Sequence, residues 1–447
     1  MMPLAANGGP MTIQTMPAGT APPSPRSLDD LGLGPVVLRD LLIKTMFRMT
    51  LDSVGDIART CGLPVPLAQE LVDMARGQLL LEATGTLHAT SRGEMAYQLT
   101  ETGKARALDA LAQSEYFGAV PVPLEQYAAQ VARQSVRNMA LTRARLAEAM
   151  GDLILPPDLL DNLGPAVGAG RSILFYGPPG NGKSSISNGI RDAMGGHIHV
   201  PRAIAHGGQV ITVYDPIVHT ALPPPEEDPT ALRRSAQRAD ARYVLCLRPT
   251  VITGGELTIS MLDLTYNPVA RTYQAPLQLK SNGGVFIVDD LGRQAEPPQA
   301  LINRWIVPLE GGHDILALQS GEKFLVPFDT LVIFSTNFHP NEIFDRAALR
   351  RIFFKIKIDG PSRDDFLRIF TLVAAKRGIE LDEAAIDHLM HTRFAEIDHA
   401  YANYMPVFLI DQMLSICRFE GIPARMSPAL IDRAWANMFV RDESILK

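Results

Sequence analysis

Cysteine is scarce in this chain: three residues in 447, Cys61, Cys246 and Cys417, lie far apart with no CxxC pair. That excludes a disulfide-stapled scaffold and a cysteine zinc site, and it predicts a reducing, cytoplasmic location. Basic charge is also short. The net charge is −6 and the pI about 6.0, a balance that argues against a general nucleic-acid coat or a basic membrane binder. No apolar run approaches the roughly 20 residues of a membrane-spanning helix, so no membrane insertion is expected. No secretory signal is expected either. Residues 1–35 are uncharged until Arg26 and are interrupted by Pro3, Gly8, Gly9, Pro10 and Pro17. A stretch so poor in continuous apolar surface cannot offset its ordering entropy, and 1–35 is expected as an unstructured tail. What is present is 46% hydrophobic and 20% charged residues, enough to bury the cores of two to four domains.

Helical periodicity begins near Val36. Leu38, Leu41, Leu42, Met46 and Phe47 recur at spacings of three and four, and Asp52 is placed to cap a short helix carrying Val54, Ile57 and Ala58. Pro66 opens a third helix with Leu67, Leu71, Val72 and Met74 inward. Strand-like runs around Leu79–Glu82 and Ala96–Leu99 flank a turn-rich stretch, and LTETGKARALDAL starts another helix. Helix, helix, helix, hairpin, helix resembles a winged-helix module over 36–115, and the LTETGKARA exit is common in that family. The resemblance implies DNA binding through the third helix. That helix carries Glu70 and Asp73 against Arg76, and the module has 8 Lys/Arg against 10 Asp/Glu. Phosphate contacts dominate DNA affinity, so a protein-docking or regulatory module is the competing reading. Residues 116–150 read as a helical connector ended by Gly151.

The informative stretch is RSILFYGPPGNGKSSISNGI, residues 171–190. A short apolar run, Ile173 to Tyr176, feeds Gly177, Pro178, Pro179, Gly180, Asn181, Gly182, Lys183, Ser184 and Ser185, and a helical pattern follows. Glycines let backbone N–H groups turn inward and approach phosphate, and the helix N-terminus adds its dipole. Lys183 is expected to pair with the β- and γ-phosphates of ATP, and the Ser184 hydroxyl to ligate Mg²⁺. A second aliphatic run, Val285 to Val288, ends in Asp289 and Asp290. Asp289 is the natural Mg²⁺ partner at the C-terminal end of a parallel strand. A third, Leu331 to Thr336, ends in Asn337, a polar amide suited to orienting an attacking water.

The order and content of these segments resemble the AAA+ ATPases. GPPGNGKS is similar to that family's phosphate loop, VFIVDD to its Mg²⁺-binding strand, and FSTN with Asn337 to its first sensor. FDRAALRRIFFKIKI is similar to the stretch carrying its arginine finger, and the helical C-terminal part to its lid. The resemblance implies an α/β P-loop core of parallel sheet between helices over 151–360 and a helical lid over 361–447. It implies Mg²⁺-dependent ATP hydrolysis, with Arg351, or Arg350 beside it, reaching the ATP of the next subunit in a ring, most often a hexamer.

Three departures from the family pattern matter. Most members carry Glu after the Mg²⁺ aspartate, where this chain has Asp290, one methylene shorter, which implies slow hydrolysis or a shifted or second water. Many also carry a sensing arginine at the start of the third lid helix, where this chain offers Val407 and Phe408. Arg418 falls a turn or more later, and Arg425 is the substitute to test. About 70 residues separate Tyr214 from the VFIVDD strand, including the exposed linker PPPEEDP (223–229) and two β-rich runs joined at Gly254 and Gly255, read as a hairpin. A second hairpin, between Glu310 and Phe328, resembles the branch of the MoxR-type chaperones and the enhancer-dependent activators. Each hairpin is read either as scaffolding or as a grip on a partner.

Histidines 197, 199 and 206, and His388 with His391, are close in sequence, but a metal site needs three or four converging ligands, so core or surface histidines are expected. The combined reading is an AAA+ ring ATPase that remodels a protein partner. Two rivals stand beside it: a DNA-directed ATPase using the winged module, and a slowly hydrolysing nucleotide-gated switch or scaffold.

Overall fold

Local signals fix the helices at the start of the chain. In this computed structural model, which describes residues 20–86, 95–223 and 239–439, helices run over Pro35–Met49, Val54–Cys61 and Val65–Gly77. Strands Leu81–Thr86 and Met95–Leu99 pair antiparallel, and helix Glu101–Gln113 follows. The element order expected for 36–115 is thus present, although 87–94, the turn-rich stretch, lies outside the described residues. The cap of the second helix is Ser53 rather than Asp52: its Oγ accepts the Asp56 N–H at 3.0 Å, a contact worth about 1 kcal/mol. Phe47, expected inward, is 37% exposed, and Ile43 at 0% takes the core position.

The described residues fold as two compact units. One draws on 20–139, 194–286 and 300–332, the other on 140–193, 287–299 and 333–439. The segment 151–360, expected as one core, therefore contributes to both.

In the first unit, Leu38, Leu42, Ile57, Leu71 and Val72 share one apolar core with Leu31. Leu31 is fully buried. The unstructured tail expected over 1–35 therefore does not extend across 20–34, because a leucine inside a packed core repays the ordering of its neighbours; residues 1–19 lie outside the described residues. A second core is built on a five-stranded sheet ordered Thr265–Asn267, Thr272–Gln274, Gln209–Thr212, Ala203–His206, Val122–Pro123. The expected connector also departs from a single helix. Its start joins this sheet at Val122–Pro123, and helix Leu124–Arg133 packs Tyr127 and Val131 into the core. Ser135 then halts it, its Oγ donating to Asp329 Oδ1 at 2.7 Å while the Val136 N–H donates to Asp329 Oδ2 at 3.0 Å.

The hairpin expected at Gly254 and Gly255 is not there. Strand Tyr243–Leu247 pairs antiparallel with His197–Pro201, Thr250–Thr253 is a separate strand, and Ile259–Leu262 is a 3₁₀ turn. Pro249 cannot donate to a ladder and breaks the run, and Leu257 and Leu262, both fully buried, are five residues apart rather than alternating. The second hairpin is as expected: His313–Ala317 pairs with Lys323–Pro327. Leu316 and Phe324 face the core, and Ile315 and Leu325 face out. The PPPEEDP linker lies outside the described residues from Pro224 onward.

The second unit holds a sheet in the order Phe354–Lys357, Ile173–Tyr176, Leu331–Thr336, Val285–Val288. Ile173–Tyr176 runs parallel to both of its neighbours. Ile173, Leu174 and Phe175 are fully buried, as a strand covered on both faces requires. The C-terminal region is helical: Arg363–Arg377, Glu383–His388, Met405–Glu420 and Pro428–Ala436 close around Phe366, Phe394, Met413 and Trp435. Phe394 lies edge-on to Phe366 at 4.9 Å and to Trp435 at 5.1 Å, the arrangement aromatic quadrupoles favour. Residues 440–447 of the expected lid lie outside the described residues. Among the described residues no helix is long and apolar enough to cross a membrane.

Candidate functional site

Strand Ile173–Tyr176 delivers the chain into a loop that favours glycine in three places. Gly177, Gly180 and Gly182 have φ of 136°, 77° and 86°, positive values that L side chains avoid. Helix Lys183–Met194 begins at once, with Ser185 exposed on its first turn and Pro178 and Pro179 exposed on the loop. Lys183 is 6% exposed. Its ammonium donates to the carbonyls of Gly177 and Pro178, both at 2.9 Å. Burial lowers its pKa, opposed by the charges of Asp289 and Asp290. A buried cation bonded to neutral carbonyls at the mouth of a glycine loop is a group prepared for an anion.

The end of strand Val285–Val288 brings the carboxylates beside it. Ser184 Oγ donates to Asp289 Oδ2 at 2.6 Å, so a hydroxyl and a carboxylate meet as two hard oxygen donors. That pair fits Mg²⁺, and it is the pair the sequence predicts. The Asp290 N–H donates to Asp289 Oδ1 at 3.0 Å, and Asn337 Nδ2 donates to Asp290 Oδ1 at 2.8 Å. The turn is fastened to the neighbouring strand, with the Leu291 N–H on Ser335 O and Thr336 Oγ1 on Leu291 O, both at 2.7 Å. Gln294 Nε2 reaches the Asp289 and Asp290 carbonyls at 3.3 and 3.4 Å. Lys183, Ser184, Asp289, Asp290 and Asn337 are thus brought together.

The two arginines are not equivalent. Both end helix Arg346–Arg351, but Arg351 Nη1 folds back to donate to Ala347 O at 2.7 Å, whereas Arg350 is exposed. Arg425, the substitute named from sequence, pairs with Asp382 at 3.4 Å. Val407 lies in the first turn of Met405–Glu420 and is 38% exposed, and Arg418 lies in the last turn.

Two residues that sequence reasoning passed over touch the loop instead. The Asn403 N–H donates to Asn181 Oδ1 at 3.3 Å, and Asn403 Nδ2 donates to Asn181 O at 3.0 Å. The Tyr404 N–H donates to Gly180 O at 3.0 Å, and a Cβ on Gly180 would collide with the Tyr404 ring. Pro406, in the first turn of the helix, is the signal that marks this entry in the sequence. Alongside runs a cleft of about 510 Å³, lined by Ile154, Pro156, Asn181, Ile186, Ile358 and Asn403 among others, within the size range of small-molecule sites.

Among the described residues no group of three or more His, Cys, Asp or Glu side chains is placed to hold a metal ion. His388 and His391 pair with carboxylates, Asp432 at 2.6 Å and Asp387 at 2.7 Å. His199 is buried, and desolvation, reinforced by His197, pushes its pKa down to about 4, so it is a neutral core residue.

A family model described as a domain of unknown function (DUF8689) matches residues 362–437. No curated protein matches the chain in sequence. Among solved structures it is similar to the RuvB P216G mutant of Thermotoga maritima, with 11% identity over 69% of this chain and 74% of that one and a TM-score of 0.37. It is similar to the Thermotoga maritima RuvB Holliday junction branch migration motor at 13% identity, over 72% and 74%, with a TM-score of 0.33. NtrX from Brucella abortus, in complex with ADP, is similar at 12% identity, over 77% and 69%, with a TM-score of 0.39. The chain's own geometry defines the class: an α/β fold with a phosphate loop on a parallel sheet and a helical C-terminal region.

Proposed function

We propose that the chain is an AAA+ ATPase that binds Mg²⁺-ATP at residues 177–185 and hydrolyses its terminal phosphoanhydride bond. The observation that supports this best is the meeting of Lys183, Ser184 and Asp289 with the Asn337-bonded Asp290 at the ends of adjacent strands. In this reading Lys183 exchanges its carbonyl partners for the β- and γ-phosphates, and the loop N–H groups hold their oxygens. Ser184 and Asp289 would hold Mg²⁺, which when bound neutralises charge on the phosphates. Asp290 accepts the proton of the attacking water, and Asn337 fixes the carboxylate that receives it. Oxygen bonds to the γ-phosphorus, the bridge to ADP breaks, and ADP and phosphate leave.

The same reading makes the protein a homo-oligomeric ring, with Arg350 or Arg351 acting across the subunit boundary and a protein partner as the object remodelled. The acidic balance of the N-terminal module favours a protein over DNA as what it docks. One observation favours slow turnover, that of a nucleotide-gated switch: Asp290 Oδ1 is already engaged by Asn337, leaving a short carboxylate with one oxygen for water.

Steady-state phosphate release from ATP tests the proposal. Lys183→Ala is expected to lower the rate about 10²–10³-fold, the usual cost of removing one donor to transition-state charge. A wild type no faster than Lys183→Ala sinks the enzyme reading.

A further inference from the structure

Asn403 has an atom with nothing to do. The carboxamide nitrogen lies 3.0 Å from the Asn181 carbonyl oxygen. An oxygen there would face another oxygen, so the amide orientation is chemically fixed. The carboxamide oxygen must then point elsewhere, and it is buried with no hydrogen-bond partner. Buried acceptors without a partner are uncommon and costly, and they ask for an explanation. Asn403 also lines the cleft of about 510 Å³ that opens beside the phosphate loop. It is not able to swing away cheaply. Its own N–H is tied to Asn181 Oδ1, and the next residue is tied to Gly180 O.

We infer that Asn403 determines nucleotide specificity: its Oδ1 accepts a hydrogen bond from a donor on the nucleoside half of the bound nucleotide, while its nitrogens clasp the loop that holds the phosphates. The inference rests on the nucleotide-binding reading above and adds the residue that reads the ligand's other end. The matching donor is an N–H or O–H group, either the exocyclic amino group of the base or a sugar hydroxyl. A buried amide acceptor on a residue that lines the cleft discriminates well against an analogue without the donor, because the orphaned oxygen then stays unpaired. Recognition and lid closure are thereby joined in one side chain, at the lid position where Val407 and Phe408 supply no arginine.

The test measures dissociation constants on the full chain, by calorimetry, for ATP, 2′-deoxy-ATP, 3′-deoxy-ATP and purine riboside triphosphate, which lacks the amino group. Wild type is expected to bind one of the three analogues about 10- to 100-fold more weakly than ATP, and which one identifies the donor. Asn403→Leu loses both the acceptor and the donor to Asn181, so it is expected to weaken that analogue somewhat and ATP by about 10- to 100-fold more, and the discrimination disappears. Asn403→Asp keeps an acceptor but loses the donor to Asn181, so it is expected to weaken ATP and the analogue alike. Equal wild-type binding of all four nucleotides overturns the inference without needing any variant to fold. Discrimination that survives in a folded Asn403→Leu protein also overturns it. Failure of the nucleotide-binding reading looks different: wild type then binds ATP no better than Lys183→Ala does.

Discussion

Asp290 carries its own backbone argument. Its φ is 50°, a left-handed conformation that costs an ordinary L residue roughly 1–2 kcal/mol and is entered most readily by Gly, Asn and Asp. Glutamate is not among the residues that enter it readily. The residue that departs from the AAA+ pattern is thus the one this turn accepts. Two outcomes follow. Asp290→Glu should not speed phosphate release, because the backbone rather than the missing methylene sets the geometry. Asp290→Asn retains the turn and an acceptor for Asn337, so chemical denaturation should move by no more than about 0.5 kcal/mol. Its turnover should nevertheless fall about 10²–10⁴-fold, the usual weight of a general base. A large loss of stability in Asp290→Asn would show that the carboxylate is structural.

Elements with local signals were legible in advance, and those built by distant partners were not. Thr100 caps Glu101–Gln113 through the Gly103 N–H at 3.0 Å, a motif visible in the LTETGKARA run. The same glycine makes a test. A Cβ on Gly103 would press on the Leu80 carbonyl, backbone against backbone with no flexible side chain to yield. Gly103→Ala is expected to destabilise the protein by about 1–3 kcal/mol, read from the denaturant midpoint, although alanine ordinarily favours a helix. The phosphate loop, the two acidic residues and Asn337 could be named from sequence because each sits at the end of a short aliphatic strand. Tyr243–Leu247 was misread because its partner, His197–Pro201, lies across a stretch of more than 40 residues, and nothing in the run itself says which strand it will join. Asn403 was missed for the opposite reason: a single polar residue before a helix looks like any helix entry until the loop it clasps is in view.

At the scale of the whole molecule, the division into units cuts across the division by motif. Residues 194–286 and 300–332 belong with the first unit, although they lie between the phosphate loop and the sensor strand in sequence. A fragment of residues 151–360, the span motifs alone would choose as an ATPase core, is therefore expected not to fold: far-ultraviolet circular dichroism should show no cooperative melt, and limited proteolysis no resistant fragment. A cooperative melt would mean that the core is self-sufficient. The interleaving also sets a timetable for synthesis. The first unit's second core, which takes in Tyr127 and Val131, cannot be finished until Val326 has been made, which at about 5–20 residues per second leaves roughly 10 to 40 seconds of waiting on the ribosome. Strand edges and apolar faces of that core that the finished protein hides are open to solvent throughout that interval, so the nascent chain, more than the released protein, is what a chaperone would have to guard.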